Sequence, residues 1–350
     1  MELALGHYYA RGPERLGPEG DFVTASDAGD AFGDAVAHQL IELDARLGAP
    51  DPFHFVEVGC GRGLLARDVL DALARLRPEQ RGRVRCALAD SSPGMRAAAA
   101  ARVPEAEVVD PADLPRGITG CIVAVELFDA LPVHRLRRRQ GLLREIGVDL
   151  QGEALVEVEM DPAPEAAALA ARYGAAREEG DEAEVCPALE GVIARIAETL
   201  ARGFVLVVDY GDDAGGLYGP HRAAGTLLAY HRHRVHEDLL ARPGLQDLTA
   251  HVNFSHLEDA ARAHGLRPLG RTTQDRFLVA NGILERFTGD PDRWGTPRAV
   301  ARRRAALQLL HPDGMGRRFH ALFLARGETG EDPLRGLADP FRGGPGNPPL

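Results

Sequence analysis

Cysteine is scarce: the 350-residue chain carries four, Cys60, Cys86, Cys121 and Cys186. None forms a CxxC pair and no histidine stands at zinc-finger spacing from them, so no metal site is expected. Three lie in or beside apolar runs, where free cysteine behaves as a small buried hydrophobe. That usage suits a reducing compartment, and a cytoplasmic location is expected. A basic excess is also missing. The formal net charge is −11, whereas a protein that holds nucleic acid through its phosphates needs a positive surface. The one basic cluster, Arg135 to Arg139, reads as a solvated strand face. No apolar run approaches the roughly 20 residues that cross a bilayer. Met1 to Ala10 lacks the apolar core of a signal peptide, and no segment repeats. These absences exclude a nucleic-acid binder, a membrane-inserted protein and a disulfide-stapled scaffold.

What is present is a large apolar fraction, 45% of residues, arranged in alternating periods. Phe53 to Val58 reads as a buried strand, Leu64 to Leu76 as a helix, Val84 to Ala89 as a strand and Met95 to Arg102 as a helix. Cys121 to Val125 is another strand, Gly191 to Leu200 a helix, and Phe204 to Asp209 a strand. Continuous apolar strands separated by helices predict an α/β fold with a mostly parallel sheet and helices on both faces. Two stretches interrupt the alternation. Val133 to Met160 mixes charged and apolar residues, with turn signals at Gln140-Gly141 and Gln151-Gly152, and reads as antiparallel hairpins. Asp212 to Asp247 is rich in Gly, His and Arg and reads as a functional loop, a lid or a disordered segment. Both are expected to form a cap subdomain inside one domain spanning residues 1–326. Ala163 to Glu184 reads as a surface helix, and the Gly/Pro-rich tail 327–350 as disordered.

The run Glu57-Val58-Gly59-Cys60-Gly61-Arg62-Gly63 joins the first strand to a helix. Glycines there permit tight backbone geometry and let a ligand approach the main chain. A dinucleotide fingerprint would need a third glycine at position 64, where Leu64 stands, which argues against a nicotinamide dehydrogenase. Gly63 is not followed by the Lys and Ser or Thr of a P-loop. The E-x-G-x-G-x-G spacing instead resembles the first motif of class I S-adenosylmethionine (SAM) dependent methyltransferases, which makes Glu57, Gly59, Gly61 and Gly63 candidate cofactor residues. The second strand ends at Asp90, where a carboxylate accepts ribose hydroxyls in nucleotide-binding α/β folds. Ser91 follows it, and Asp110, after Val108-Val109, is a candidate at the adenine. The competing readings are a ligand-free tight turn for the glycines, a helix N-terminal charge for Asp90 and a turn residue for Asp110.

Further motifs carry a wider resemblance. Gly20-Asp21-Phe22-Val23-Thr24 precedes Phe32-Gly33. Glu126-Leu127-Phe128-Asp129-Ala130-Leu131-Pro132-Val133 follows the Cys121 strand. Asp209-Tyr210-Gly211, Asp247-Leu248-Thr249-Ala250-His251-Val252, Thr273-Gln274 and Gly314-Met315-Gly316 come in order after it. The set resembles the MidA-type methyltransferases, the family of a mitochondrial arginine methyltransferase needed for assembly of respiratory complex I, from Met1 to about Arg326. The resemblance implies a Rossmann-like class I fold with a seven-stranded sheet, SAM as cofactor, and Asp21, Phe22 and Thr24 among its ligands. Departures from the family pattern fall at Cys60 (commonly proline), Val125 (asparagine), Asn253 (aspartate) and Asp275 (glycine).

The implied reaction is methyl transfer to an arginine nitrogen of a partner protein or peptide. Paired carboxylates can hold a guanidinium and orient one nitrogen. Glu126 and Asp129 are the candidate pair, expected to be solvated or paired with an arginine of the chain when no substrate is present. His251 is a candidate proton acceptor or orienting group. Bland readings stand beside these: Asp129 as a cap before Pro132, His251 as a structural histidine, and Tyr210 as packing with its hydroxyl on backbone. Two rival functions remain, a small-molecule O- or N-methyltransferase and a SAM-binding assembly factor with little activity. No nucleic acid and no membrane insertion are expected, and a homodimer is allowed.

Overall fold

The structure is a computed structural model that describes residues 1–10, 25, 29–232, 234–287, 296–327, 329–330 and 332–341. It opens with α1 (Glu2–Ala10) and α2 (Asp30–Arg46), then β1 (Phe53–Val58), α3 (Leu64–Leu76), α4 (Pro78–Arg83), β2 (Val84–Ala89), α5 (Pro93–Arg102), β3 (Glu107–Val109) and β4 (Ile118–Val125). Strands β5 (His134–Arg139), β6 (Leu142–Gln151) and β7 (Ala154–Met160) precede α6 (Pro164–Tyr173), β8 (Glu182–Val185), α7 (Ala188–Thr199) and β9 (Leu200–Asp212). Then come α8 (Ala214–Leu217), β10 (Leu228–His231), β11 (Arg234–His236), β12 (Asp247–Thr249), β13 (Val252–Asn253) and α9 (Phe254–Ala263). The last elements are β14 (Arg267–Thr273), α10 (Gln274–Ala280), α11 (Pro297–Leu310) and β15 (Phe319–Arg326).

The chain divides into two compact units. One combines Val23–Val125, Glu198–Val208 and Leu266–Leu350. Its sheet runs β14-β15-β9-β4-β1-β2-β3. Pairing is parallel from β3 through β9, and β14 pairs antiparallel with β15. The path holds the seven strands expected of a mostly parallel α/β sheet, and the short β13 adds an eighth by pairing with the end of β9 at Gly211 and Asp212. The order reverses at β1, which has β2 on one side and β4 on the other. In open α/β sheets such a reversal opens a ligand crevice at the carboxyl ends of the strands. Helix α3 buries Leu65, Ala66, Val69, Leu70 and Leu73, a stripe at helical spacing. A Cβ at Gly33 would lie 2.4 Å from the Asp68 Cβ, so α2 and α3 cross closely because that position is glycine. The tail departs from expectation. Leu334 is buried, and the Arg335 and Gly336 amides donate to Glu42 and Gln39 of α2, so order continues to Phe341. Residues 342–350 lie outside the described residues.

The other unit combines Met1–Phe22, Glu126–Ala197 and Asp209–Gly265. Its main sheet is antiparallel, in order β7-β6-β5-β8. Gln140 and Gly141 both take positive φ (53° and 72°), as a tight hairpin turn requires. The segment expected to be one surface helix from Ala163 to Glu184 ends at Tyr173. Gly174 adopts a left-handed cap (φ 76°), and after a turn β8 begins at Glu182. Nor is that helix only superficial: Ala166, Leu169 and Ala170 pack with Leu136, Ala183 and Val185 in a core of this unit. The Arg135–Arg139 strand face is not simply solvated. Glu182 accepts from Arg135 at 2.9 Å and from Arg137 at 2.5 Å, and Glu159 accepts from Arg139 at 2.9 Å. Within the Asp212 to Asp247 stretch, β10 pairs with β11 and β12 in a three-stranded sheet, and Leu5 of α1 packs on Ala229 and Leu248. No helix among the described residues is long and apolar enough to cross a membrane. The four cysteines are free, and no cluster among the described residues could hold a metal.

Candidate functional site

The glycine loop is shaped by its backbone. Gly59, Gly61 and Gly63 take φ of 76°, 50° and 69°, a region that strains any residue with a Cβ. The Gly59 and Cys60 amides donate to the Ala89 carbonyl at 2.8 and 3.1 Å, and Gly63 N donates to the Cys60 carbonyl at 2.8 Å before α3 begins. A Cβ on Gly63 would meet the Ala99 backbone at 3.2 Å. Asp90 closes the loop from the end of β2. Its Oδ2 accepts from Gly61 N at 2.9 Å and its Oδ1 from Ser92 N at 2.8 Å. Arg96 braces this corner, donating to the carbonyls of Asp90 and Ser91 (2.6 and 3.0 Å) and to Asp110 Oδ2 (3.0 Å). Asp110 Oδ1 accepts from Ala112 N at 3.0 Å, so this side chain caps a turn as well as pairing with Arg96.

Glu57 lies beneath the loop, only 4% exposed, and its Oε2 has no hydrogen-bond partner. Burial pushes its carboxyl up to about 8, against a backbone bond from Ala66, and the nearby Asp90 adds to the rise. Burial also raises Asp90, opposed by the Ser92 and Gly61 amides. These residues fit SAM: a buried acceptor without a partner, a backbone cradle of glycines, and a carboxylate at the second strand. Asp21, Phe22 and Thr24 lie outside the described residues.

The second cluster, in the unit that begins β5, is acidic. Glu126 follows β4 with φ of 51°, a left-handed conformation in a non-glycine residue. Asp209, fully buried, accepts from Phe128 N at 2.9 Å and Asp129 N at 3.4 Å through Oδ2, and from Tyr210 N at 2.9 Å through Oδ1. Asp129 is 5% exposed, and its Oδ1 has no partner. Burial lifts its carboxyl to about 6, opposed by hydrogen bonds from the Tyr210 hydroxyl and the Ala130 amide. Burial and then the charge of Asp129 push Asp209 well above the usual carboxylate range, and Glu126 adds to the effect. The expectation that Asp129 is solvated or paired with arginine is therefore corrected: it is buried and bonded to a tyrosine. The Tyr210 hydroxyl joins the side chains of Asp129 and Thr249.

His251 stands next to this cluster. Its ring meets Tyr210 edge-on at 5.1 Å and 89°, and its Nδ1 lies 3.1 Å from Arg222 Nη1. It lines a pocket of this unit with Phe128, Cys186, Tyr218, Asn253 and His256. Asn253, a departure from the family pattern, caps α9 by accepting from His256 N at 3.1 Å, a role aspartate performs equally. Val125 is a buried strand residue opposite Val208. The structure brings the candidate residues Asp129 and His251 into one unit, beside Asp209 and Arg222, which sequence reasoning did not place as their partners. Asp209-Tyr210-Gly211 was visible as a motif; Arg222 carried no local signal.

A parallel sheet that reverses at β1, with a glycine loop there and an acid at the end of β2, defines a class I methyltransferase. Residues 35–272 match the family of S-adenosyl-L-methionine-dependent methyltransferases, and the chain belongs to it. The protein is a SAM-dependent methyltransferase. It is similar to the "Protein arginine methyltransferase NDUFAF7, mitochondrial" of Mus musculus, 28% identical over 349 residues, 91% of this chain and 76% of the relative. The Homo sapiens protein of the same name is 28% identical over 355 residues, with the same coverage of both chains. A solved methyltransferase-like relative from Burkholderia thailandensis, bound to S-adenosyl-homocysteine, superposes with a TM-score of 0.84. It is 30% identical and covers 96% of this chain and 87% of its own.

Proposed function

We propose that the chain methylates an arginine nitrogen of a partner protein. The observation that carries this reading is the cluster of three acids, half-buried Glu126 with buried Asp129 and Asp209, whose carboxyls burial raises and a bound guanidinium would draw back toward the charged form. The named mitochondrial relatives support the same acceptor. SAM supplies an electrophilic methyl group on sulfur. Glu57, the amides of Gly59 to Gly63 and Asp90 with Ser91 hold the amino acid and ribose portions, and Asp110 borders the adenine. Glu126 and Asp129 hold the guanidinium and turn one nitrogen toward attack, most of the work being positioning. Tyr210 keeps Asp129 oriented, and His251 orients the acceptor. The proton that leaves the methylated nitrogen passes to a carboxylate of the cluster and then to water. Free cysteines suit a reducing compartment such as the cytoplasm.

The test is methyl transfer from labelled SAM to arginine peptides and to proteins of a lysate, read by mass spectrometry. Methylated arginine that disappears with Glu126→Gln supports the reading. Transfer confined to metabolites replaces it with a small-molecule methyltransferase, and SAM binding without transfer replaces it with an assembly factor.

A further inference from the structure

A carboxylate offers about four lone-pair sites to hydrogen-bond donors. Asp209, fully buried, gives three of them to backbone amides: Phe128 N at 2.9 Å and Asp129 N at 3.4 Å on Oδ2, and Tyr210 N at 2.9 Å on Oδ1. Those amides belong to the residues that shape the acceptor site. Phe128 and Asp129 come just after Glu126, whose φ is 51°. The Tyr210 hydroxyl holds the Asp129 carboxyl, which also takes the Ala130 amide. Further backbone contacts fix this frame. Ala250 N donates to the Asp129 carbonyl at 3.0 Å. Gly211 and Asp212, which follow Tyr210, pair in parallel with Val252 and Asn253. The approach is so close that a Cβ on Gly211 would lie 2.0 Å from the Val252 carbonyl oxygen. Amid these bonds Asp129 Oδ1 is buried and has no partner.

We propose that Asp209 is a positioning residue for methyl transfer: it holds the backbone of Phe128, Asp129 and Tyr210 so that Asp129 Oδ1 is kept for an N–H of the acceptor guanidinium. The inference rests on the arginine reading above. Asp209 itself does not touch the acceptor, because it is buried and its oxygens are engaged by amides. A buried oxygen without a partner is destabilising, and a loose loop would turn Asp129 toward water or toward a spare backbone N–H. The amide bonds to Asp209 prevent that turn. Two neighbouring aspartates thus divide the work, one holding the loop and the other meeting the substrate. The arrangement needs two oxygens on residue 209, whatever its charge. Asparagine has one. Its NH2 group must stand against the Tyr210 amide or against the amides of Phe128 and Asp129, donor against donor.

Two measurements test this, and the first needs no acceptor. Hydrogen exchange of the SAM-bound protein, read in 15N-resolved spectra, is expected to show the Phe128 and Tyr210 amides protected. Asp209→Asn is expected to release at least one of them while SAM affinity stays within about fivefold. Amides that exchange freely in the native protein, or protection unchanged in the variant, overturn the anchoring role. Should the asparagine variant fail to fold, Asp209→Ser takes its place, since a hydroxyl keeps one acceptor. The second measurement is a double-mutant cycle on kcat/KM for an arginine peptide. Asp209→Asn is expected to lower it about 100-fold in the native background. Once Asp129→Asn has removed the carboxylate that Asp209 positions, the further loss is expected to be less than about threefold. A merely structural role would act in both backgrounds, so equal losses overturn the proposal. Protected amides together with no methyl transfer to the arginine peptide overturn the arginine reading, and the positioning role falls with it. The tie between Asp209 and the loop would survive that result.

Discussion

The Gly61 amide donates to Asp90 Oδ2 at 2.9 Å, which ties the loop after β1 to the end of β2. Two stretches 29 residues apart therefore share one surface, the one proposed to hold the cofactor. Gly61 also needs its φ of 50°. Gly61→Val is expected to abolish SAM binding while the fold survives, because a branched side chain resists that conformation and intrudes on the loop. Calorimetry with unchanged SAM affinity would refute the placement. Asp90→Ala should weaken binding by about 1–3 kcal/mol, since it removes a charged acceptor and frees two backbone donors.

Glu57 makes a pH prediction. Its folded carboxyl titrates near 8, above the ordinary value of 4.5. The folded state therefore holds this proton more tightly than the unfolded one. The resulting stability is fully present below pH 4.5 and is lost as pH rises to about 8. Glu57→Gln keeps a neutral side chain and removes the titration. Denaturant midpoints of the ligand-free protein should fall less steeply between pH 5 and 8 in the variant. Parallel curves would show that Glu57 is ionised at neutral pH in the fold.

Asn253 tests a departure from the family pattern. Its side chain accepts from His256 N and begins α9. Asn253→Ala should cost about 1 kcal/mol, and Asn253→Asp far less, because both native and aspartate side chains cap. Equal thermal shifts in the two variants would count against the cap.

The legible parts were those written in short-range pattern. Three glycines at alternating positions imply a backbone that visits left-handed space, and all three do. The hairpins at Gln140-Gly141 and Gly152 are likewise turn chemistry. Asp90 was legible because a strand end fixes where its carboxylate sits. The Ala163 to Glu184 stretch misled because alanine and glutamate favour helix at every position, while β8 is decided by pairing with β5. The tail misled for a related reason: its composition is that of a disordered segment, yet Leu334 and two backbone amides find partners on α2. Asp209 beneath Asp129 and Arg222 beside His251 are contacts between remote segments, which no period or spacing encodes.

Glu126 carries the last prediction. It follows Val125, the last residue of β4, and among the described acids it alone takes positive φ, 51°. A non-glycine residue there costs on the order of 1 kcal/mol, and such strain gathers at functional sites. Burial and the charges of Asp129 and Glu126 already raise Asp209, so the fold tolerates a concentration of acids as well as a strained backbone. If that arrangement serves the acceptor, removing it should help the fold and harm the reaction. Glu126→Gly relieves both strain and charge, and should raise unfolding stability by up to about 1 kcal/mol while methyl transfer is lost. Glu126→Gln keeps the strain and shape and removes only the charge; it should cut kcat strongly and leave SAM affinity within about fivefold. Loss of SAM binding in the glutamine variant would make Glu126 a cofactor ligand. A glycine variant less stable than the native chain would show that Glu126 is held for structure, and the acceptor site would then have to be sought among Asp129, Tyr210 and His251.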